Sequence, residues 1–125
     1  MDDGKLISLA REVLANAYAP YSGYRVGAAI LTADGRVFRG VNVENASYGL
    51  TICAERAALS AAVAAGYRSF SVIAVAAEGD KEPLPCGACL QVLREFGLLR
   101  VVVAGKKEKI RSFNLDELLP YPFGK

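Results

Sequence analysis

No histidine occurs anywhere in the sequence. That removes every histidine-based triad and every imidazole metal ligand. Acid–base work must fall to Glu, Asp, Lys, Tyr or Cys, and a thiophilic metal has only cysteine to bind. Cysteine is itself scarce: three residues, an odd number, cannot form a complete disulfide framework within one chain. In a reducing compartment, clustered cysteines bind metal or do chemistry. No apolar run reaches the roughly 18 residues that a bilayer span requires. The opening Met1-Asp2-Asp3-Gly4-Lys5 is acidic and lacks the basic-then-apolar order of a signal peptide. These absences predict a soluble, cytoplasmic protein with no membrane partner. Charge of one sign is also missing, since the net charge is only +2. Nucleic-acid binders carry a basic patch or stripe. The densest basic run, Lys106-Lys107-Glu108-Lys109, reads as a solvated turn between two strands. The expected partner is a small molecule, not a nucleic acid.

What is present is a globular composition, 53% hydrophobic and 22% charged. The 125 residues suit one domain, residues 1–125. For so short a chain the composition is apolar, which places part of that content in subunit contacts. Leu6, Leu9, Val13, Leu14 and Ala17 recur at helical spacing and predict a helix over residues 3–18, capped by Asp2 or Asp3. Residues 24–32 read as a buried strand and residues 36–42 as its return, joined by the hairpin signal Asp34-Gly35. A polar stretch runs from Glu44 to Thr51. The Ala-rich segment from Cys53 to Ala65 reads as a helix stopped by Gly66. A strand at 70–77, a loop with two prolines, a helix at 86–96 closed by Gly97 and a strand at 100–104 follow. A short strand at 110–113 and a helical turn at 115–119 finish the chain. Two strand–helix–strand crossovers imply a parallel part to the sheet, and the hairpin adds an antiparallel pair. The predicted fold is α/β, a three-layer α/β/α arrangement around a mixed five-stranded sheet.

The chemistry concentrates at two helix starts. Cys53 and Glu55 open the second helix; Cys86 and Cys89 open the third. Helix N-termini carry unsatisfied N–H groups and roughly half a positive charge, which favours the metal-binding thiolate over the thiol. Pro85 suits the start of such a helix because its missing N–H costs nothing there. Three thiolates with a fourth position left for water is the pattern of a catalytic zinc site; structural sites are closed by four protein ligands. Three thiolates on Zn²⁺ leave a net negative site, which opposes ionisation of water. Arg56, one residue after Glu55, is expected to hydrogen-bond the cysteine sulfurs and draw off that charge. Glu55 is two residues from a ligand, where a carboxylate can move a proton without binding the metal. A glutamate in a first helical turn is common for dipole reasons alone. Only with the three cysteines does it point to catalysis.

Cys53-Ala54-Glu55 followed by Pro85-Cys86-Gly87-Ala88-Cys89 resembles the zinc deaminase signature in its all-cysteine form. The stretch from Tyr21 to Ala29, the stretch from Gly40 to Gly49 and Leu118-Leu119-Pro120 resemble the small homotetrameric cytidine deaminases, so the likeness covers essentially the whole chain. That resemblance implies a cytidine deaminase-like fold and hydrolytic deamination of cytidine and deoxycytidine, serving pyrimidine salvage. One zinc per subunit would be held by Cys53, Cys86 and Cys89. Glu55 would shuttle the proton as hydroxide adds to C4 and ammonia leaves. Asn42 and Glu44 would hydrogen-bond the ribose, Tyr24 would cover the pyrimidine, and the Ala54 N–H would meet its carbonyl. Tyr48 and Phe123 would approach the site of a neighbouring subunit in a homotetramer. The residues agree in kind, since Asn plus Glu offers the donors and acceptors a diol needs and an aromatic face stacks on a base. Tyr24 is equally compatible with plain core, and Asn42 and Glu44 with a turn. The family commonly has arginine where this chain has Leu90. Either Arg56 carries the charge compensation alone or Arg94, one helical turn on, replaces the missing residue.

Other readings of the cysteines fit less well. Cys86-Gly87-Ala88-Cys89 has the spacing of a redox motif, but that leaves Cys53 and Glu55 unexplained. A structural zinc domain would want a fourth protein ligand. A base in RNA or an aminonucleoside antibiotic is a related substrate, but Asn42 and Glu44 favour a free ribose.

Overall fold

Alternation along the strands sets the layers of this computed structural model, which describes residues 1–107 and 109–124. Strand β1 (Val26–Thr32) sends Ala28 and Ile30 to one face and Ala29 to the other. Strand β3 (Phe70–Ala77) does the same with Ile73 and Val75 against Val72, Ala74 and Ala76. Strand β4 (Arg100–Ala104) repeats it with Val101 and Val103 against Val102 and Ala104. Both faces are buried, so these strands read as continuous apolar runs. Each fully buried Val, Leu or Ile contributes roughly 1.5–3 kcal/mol. Helix α1 (Asp3–Leu14) covers one face through Leu6, Ile7 and Ala10. Helices α2 (Ala54–Ala64) and α3 (Gly87–Arg94) cover the other through Ala58, Leu59, Ala62, Leu90 and Leu93. This is the three-layer α/β/α arrangement expected.

The sheet has five strands in the order β2-β1-β3-β4-β5, with β2 at Val37–Val41 and β5 at Arg111–Asn114. Among the described strands, only the β3–β4 pair is parallel. The crossover through α2 joins β2 to β3, which run the same way but have β1 between them. Both α2 and α3 therefore return along the same face, and both begin at the edge where β3 and β4 end. In open α/β sheets this edge is where ligands bind.

Element boundaries differ from expectation in physically clear places. Helix α1 ends at Leu14, with Ala15 as its C-cap, and not at residue 18. Tyr18 has left the helix because its N–H donates to the Asn42 carbonyl and its carbonyl accepts from Glu44 N–H (3.0 and 2.9 Å). That pairing beats the helical periodicity that Ala17 had suggested. Asp2 is the cap, accepting from Lys5 N–H. The polar stretch 44–51 contains a single 3₁₀ turn, Tyr48–Leu50, that hydrophobic patterning did not predict. Gly66 and Gly97 end α2 and α3 with φ near 100°, a backbone region that other residues rarely enter. Lys106 and Lys107 form a turn, as expected of the basic run; its Glu108 lies outside the described residues.

Two glycines set how close the helices lie on the sheet. A Cβ at Gly27 would stand 2.2 Å from the Ala10 carbonyl oxygen of α1. A Cβ at Gly40 would stand 2.3 Å from the Ala58 nitrogen and 2.7 Å from the Ala54 oxygen of α2. Gly40 is paired with Ala28 of β1, and the adjacent pair is Gly27 with Val41. Helices on opposite faces thus touch the hairpin backbone at neighbouring rungs. Gly40→Val forces α2 away from β2, an overpacking that costs about 1–3 kcal/mol or more. Its melting temperature should fall by on the order of 5–10 °C, as read by scanning calorimetry. An unchanged melting temperature would contradict the close contact.

Candidate metal centre and active-site cavity

Cys53 and Cys86 hold the same place in their helices. Each is the N-cap residue in extended conformation, with φ −76°, ψ 153° for Cys53 and φ −70°, ψ 167° for Cys86. Pro85 precedes the second cap and is not itself the first helical residue. Cys89, fully buried, lies three residues after Cys86, on the same helical face. The Cys86 and Cys89 sulfurs are 3.6 Å apart. All three Sγ atoms lie within 4.8 Å of one another. Sulfurs bound tetrahedrally at about 2.3 Å from zinc are separated by about 3.8 Å, so the cluster fits that metal.

The surroundings favour thiolate at Cys53. Arg56 Nη2 donates to Cys53 Sγ at 3.5 Å. The Cys53 thiol is lowered to about 5, first by a hydrogen bond from Cys89 and then by Arg56. Cys89 is raised correspondingly, by giving that hydrogen bond and by its burial. Arg56 is thus the guanidinium that reaches the sulfurs. Arg94 lies in the last turn of α3, at the end away from the cysteines. Leu90 joins the hydrophobic core, and its side chain packs in the α2–α3 layer.

Glu55 is 5% exposed and occupies the first turn of α2. Burial raises its carboxyl to about 7; the Cys53 charge adds to that, and a backbone hydrogen bond opposes it. A carboxyl poised there both takes and gives protons near neutrality. It opens onto a cavity of about 480 Å³ lined by Tyr24, Asn42, Ala54, Cys53 and Cys86. The Tyr24 ring edge rests against Gly79, where a Cβ would stand 3.1 Å from Cε1. Its phenol is raised by burial and by the charge of Glu55.

Not all expected site residues share this cavity. Asn42 lines it, with its amide held by the backbone: Oδ1 accepts from Val26 N–H and Nδ2 donates to the Tyr24 carbonyl, both at 2.9 Å. Glu44 and Tyr48 line a neighbouring cavity of about 320 Å³ with Tyr21, Ser22 and Thr51. Thr51 borders both. Phe123 lines neither and is 88% exposed. Its backbone is gripped by Gln91, whose Nε2 donates to the Phe123 carbonyl (3.1 Å) and whose Oε1 accepts from its N–H (3.0 Å). Sequence reasoning missed the wall formed by Thr51, Lys81, Glu82, Pro83 and Leu84. Adjacency to Cys86 was the available signal for the last four.

Clustered cysteine sulfurs at two helix N-termini beside a buried carboxyl group, at the ligand-binding edge of an α/β/α sheet, define a cysteine-ligated metalloenzyme domain. The chain belongs to the cytidine and deoxycytidylate deaminase family, whose zinc-binding region matches residues 1–105. It is 43% identical to a cytidine deaminase of Sporosarcina psychrophila over 100% of this chain and 93% of that protein. It is 48% identical to a probable cytidine deaminase of Dictyostelium discoideum, over 93% of this chain and 80% of the other. The crystal structure of cytidine deaminase from Burkholderia pseudomallei superposes with a TM-score of 0.94 at 50% identity, covering 98% of this chain and 100% of that one. The Mycobacterium tuberculosis enzyme superposes at 0.87 with 41% identity, covering 100% and 99%.

The raised Glu55 carboxyl has a consequence for stability. Its folded value, about 7, exceeds its ordinary 4.5. The unfolded chain therefore releases the proton first, and the contribution to stability falls as pH rises between those values. Glu55→Gln cannot titrate. In protein stripped of metal by a chelator, the variant should melt above the parent by a margin that grows from about pH 5 to pH 7, then levels off at several degrees. A margin independent of pH, measured by calorimetry, would contradict the burial of the charge.

Proposed function

We propose that the protein catalyses zinc-dependent hydrolytic deamination of cytidine and deoxycytidine to uridine and deoxyuridine, with release of ammonia. The observation that carries this is Glu55, buried at the wall of a nucleoside-sized cavity beside three clustered cysteine sulfurs. Zinc held by Cys53, Cys86 and Cys89 supplies a Lewis acid and activates water at neutral pH. Glu55 accepts one proton from the attacking water and delivers it to the ring nitrogen, which keeps it. It then takes the second proton from the hydroxyl added at C4 and delivers it to the departing amine as the C4 carbonyl forms. The overall balance is one water consumed and one ammonia released per nucleoside. The Ala54 N–H heads α2, where an amide lacks an intrahelical acceptor, and it receives the pyrimidine carbonyl. Tyr24 covers the ring. Asn42 retains one amide hydrogen and one lone pair for a ribose hydroxyl beyond its two backbone bonds. Glu44 accepts from a second hydroxyl across Thr51. Arg56 holds the sulfurs in their anionic form.

The active form is a homotetramer in which Tyr48 and Phe123 approach a neighbour's cavity. Their 74% and 88% exposure in the single chain supports this, together with exposed Leu50 and Tyr121. A small-molecule substrate, a reducing cytoplasm and a role in reclaiming pyrimidine nucleosides fit the three free cysteines and the near-neutral charge. No described helix is long and apolar enough to cross a membrane.

Ammonia release from cytidine, with and without a zinc chelator, tests the reaction. We expect about one zinc per chain and loss of turnover on chelation. Glu55→Gln should turn over on the order of 10²–10⁴-fold more slowly; turnover at the parent rate would refute the mechanism. Arg56→Gln should cost about tenfold or more in zinc affinity or turnover, read by chelator competition and steady-state kinetics. No loss in either would remove Arg56 from the metal centre.

A further inference from the structure

The loop between α1 and β1 is joined to the carboxylate of Glu44 by three hydrogen bonds. Glu44 Oε1 accepts from the N–H groups of Tyr21 (2.9 Å) and Ser22 (3.0 Å). Its Oε2 accepts from the Ser22 hydroxyl. The same hydroxyl oxygen accepts from Tyr24 N–H at 3.0 Å. Tyr24 in turn offers its carbonyl to Asn42 Nδ2 at 2.9 Å. One serine side chain therefore sits between the carboxylate and the backbone of the cavity's aromatic residue, and that backbone leads on to the asparagine. These bonds span 22 residues of sequence between Ser22 and Glu44. They add to the bonds that Tyr18, Tyr24 and Val26 already make with the same segment.

We infer that Ser22 is a positioning residue for nucleoside recognition: braced against the Tyr24 backbone, its hydroxyl fixes the Glu44 carboxylate in one geometry and aims it at the ribose, while Tyr24 keeps its own hold through Asn42. The inference rests on the proposed role of Glu44 toward ribose. A carboxylate with three donors on it has two consequences. It stays ionised, and the Ser22 hydroxyl and amide lead in holding its carboxyl below the ordinary range. Its remaining acceptor capacity, on Oε2, is aimed in one direction. An ionised acceptor suits the hydrogen of a free hydroxyl and repels a phosphate in its place. Ser22 thus favours nucleosides over nucleotides phosphorylated at that position. The hydroxyl lies at an exposed part of the chain, where hydrogen bonds add little to folding. Its effect belongs to ligand binding, when ligand displaces water from the carboxylate.

The experiment compares uridine, which carries ribose, with 1-methyluracil, which does not, as competitive inhibitors of cytidine turnover by the zinc-loaded enzyme. Ser22→Ala should weaken uridine and raise the KM for cytidine about tenfold, as expected for a lost hydrogen bond to a charged group. It should leave 1-methyluracil inhibition, zinc content and melting temperature near the parent, with kcat changed far less than KM. Ser22→Thr, which keeps the hydroxyl, should recover most of the uridine affinity. Equal weakening of both inhibitors by Ser22→Ala, an unchanged KM, or no rescue by threonine would overturn the assignment. Glu44→Gln separates this from the underlying reading. If it weakens uridine selectively while Ser22→Ala does not, Glu44 reads ribose unaided and only the Ser22 role falls. If Glu44→Gln spares uridine, the ribose role of Glu44 falls and the Ser22 role with it.

Discussion

The contact of α2 with the sheet at Gly40 is the constraint on which the site depends. With only hydrogen at that position, the helix backbone lies directly on β2. This fixes both the depth and the rotation of α2. Its N-cap, Cys53, is then delivered to the edge of the sheet where α3 presents Cys86. Glu55, two residues further on, turns inward beneath the same edge and is almost wholly buried. A helix standing off by even an ångström would separate sulfurs that must share one metal.

Electrostatics then follows from geometry. Three thiolates sharing one metal ion would repel one another and need compensation. Two helix N-termini supply part of it and the Arg56 guanidinium another part. Position 90 contributes none, because leucine there fills the core between α2 and α3. That side chain supplies buried apolar volume and no charge to the metal centre. Glu55 experiences the opposite environment from Arg56: burial and a nearby sulfur charge both disfavour its ionised form. The residue proposed to carry a proton is held where carrying one is easy.

Much of this was legible in the sequence because the signals were local. Cysteines at the starts of two helices, the Asp34-Gly35 turn and the apolar runs of β1, β3 and β4 each state their structure within a few residues. What escaped was set by tertiary contact. Helix α1 stopped at Leu14 because Tyr18 pairs with Asn42 and Glu44, and nothing near Tyr18 announces a partner so far along the chain. The strand order was equally hidden, since both crossovers look alike in sequence although only one joins adjacent parallel strands. Asn42 and Glu44, two residues apart, read as a pair, yet they line different cavities. The bonds that divide them come from the 21–26 loop.

The grip of Gln91 on the chain end has a consequence for how this surface can vary. The amide of Gln91 holds the N–H and carbonyl of residue 123, groups common to any amino acid but proline. The anchor therefore reads the backbone and ignores the ring. Substitution at 123 can alter what the tail offers to its surroundings without releasing the tail itself. Anchoring and recognition are assigned to different atoms of one residue, so the second is free to drift while the first is conserved in geometry.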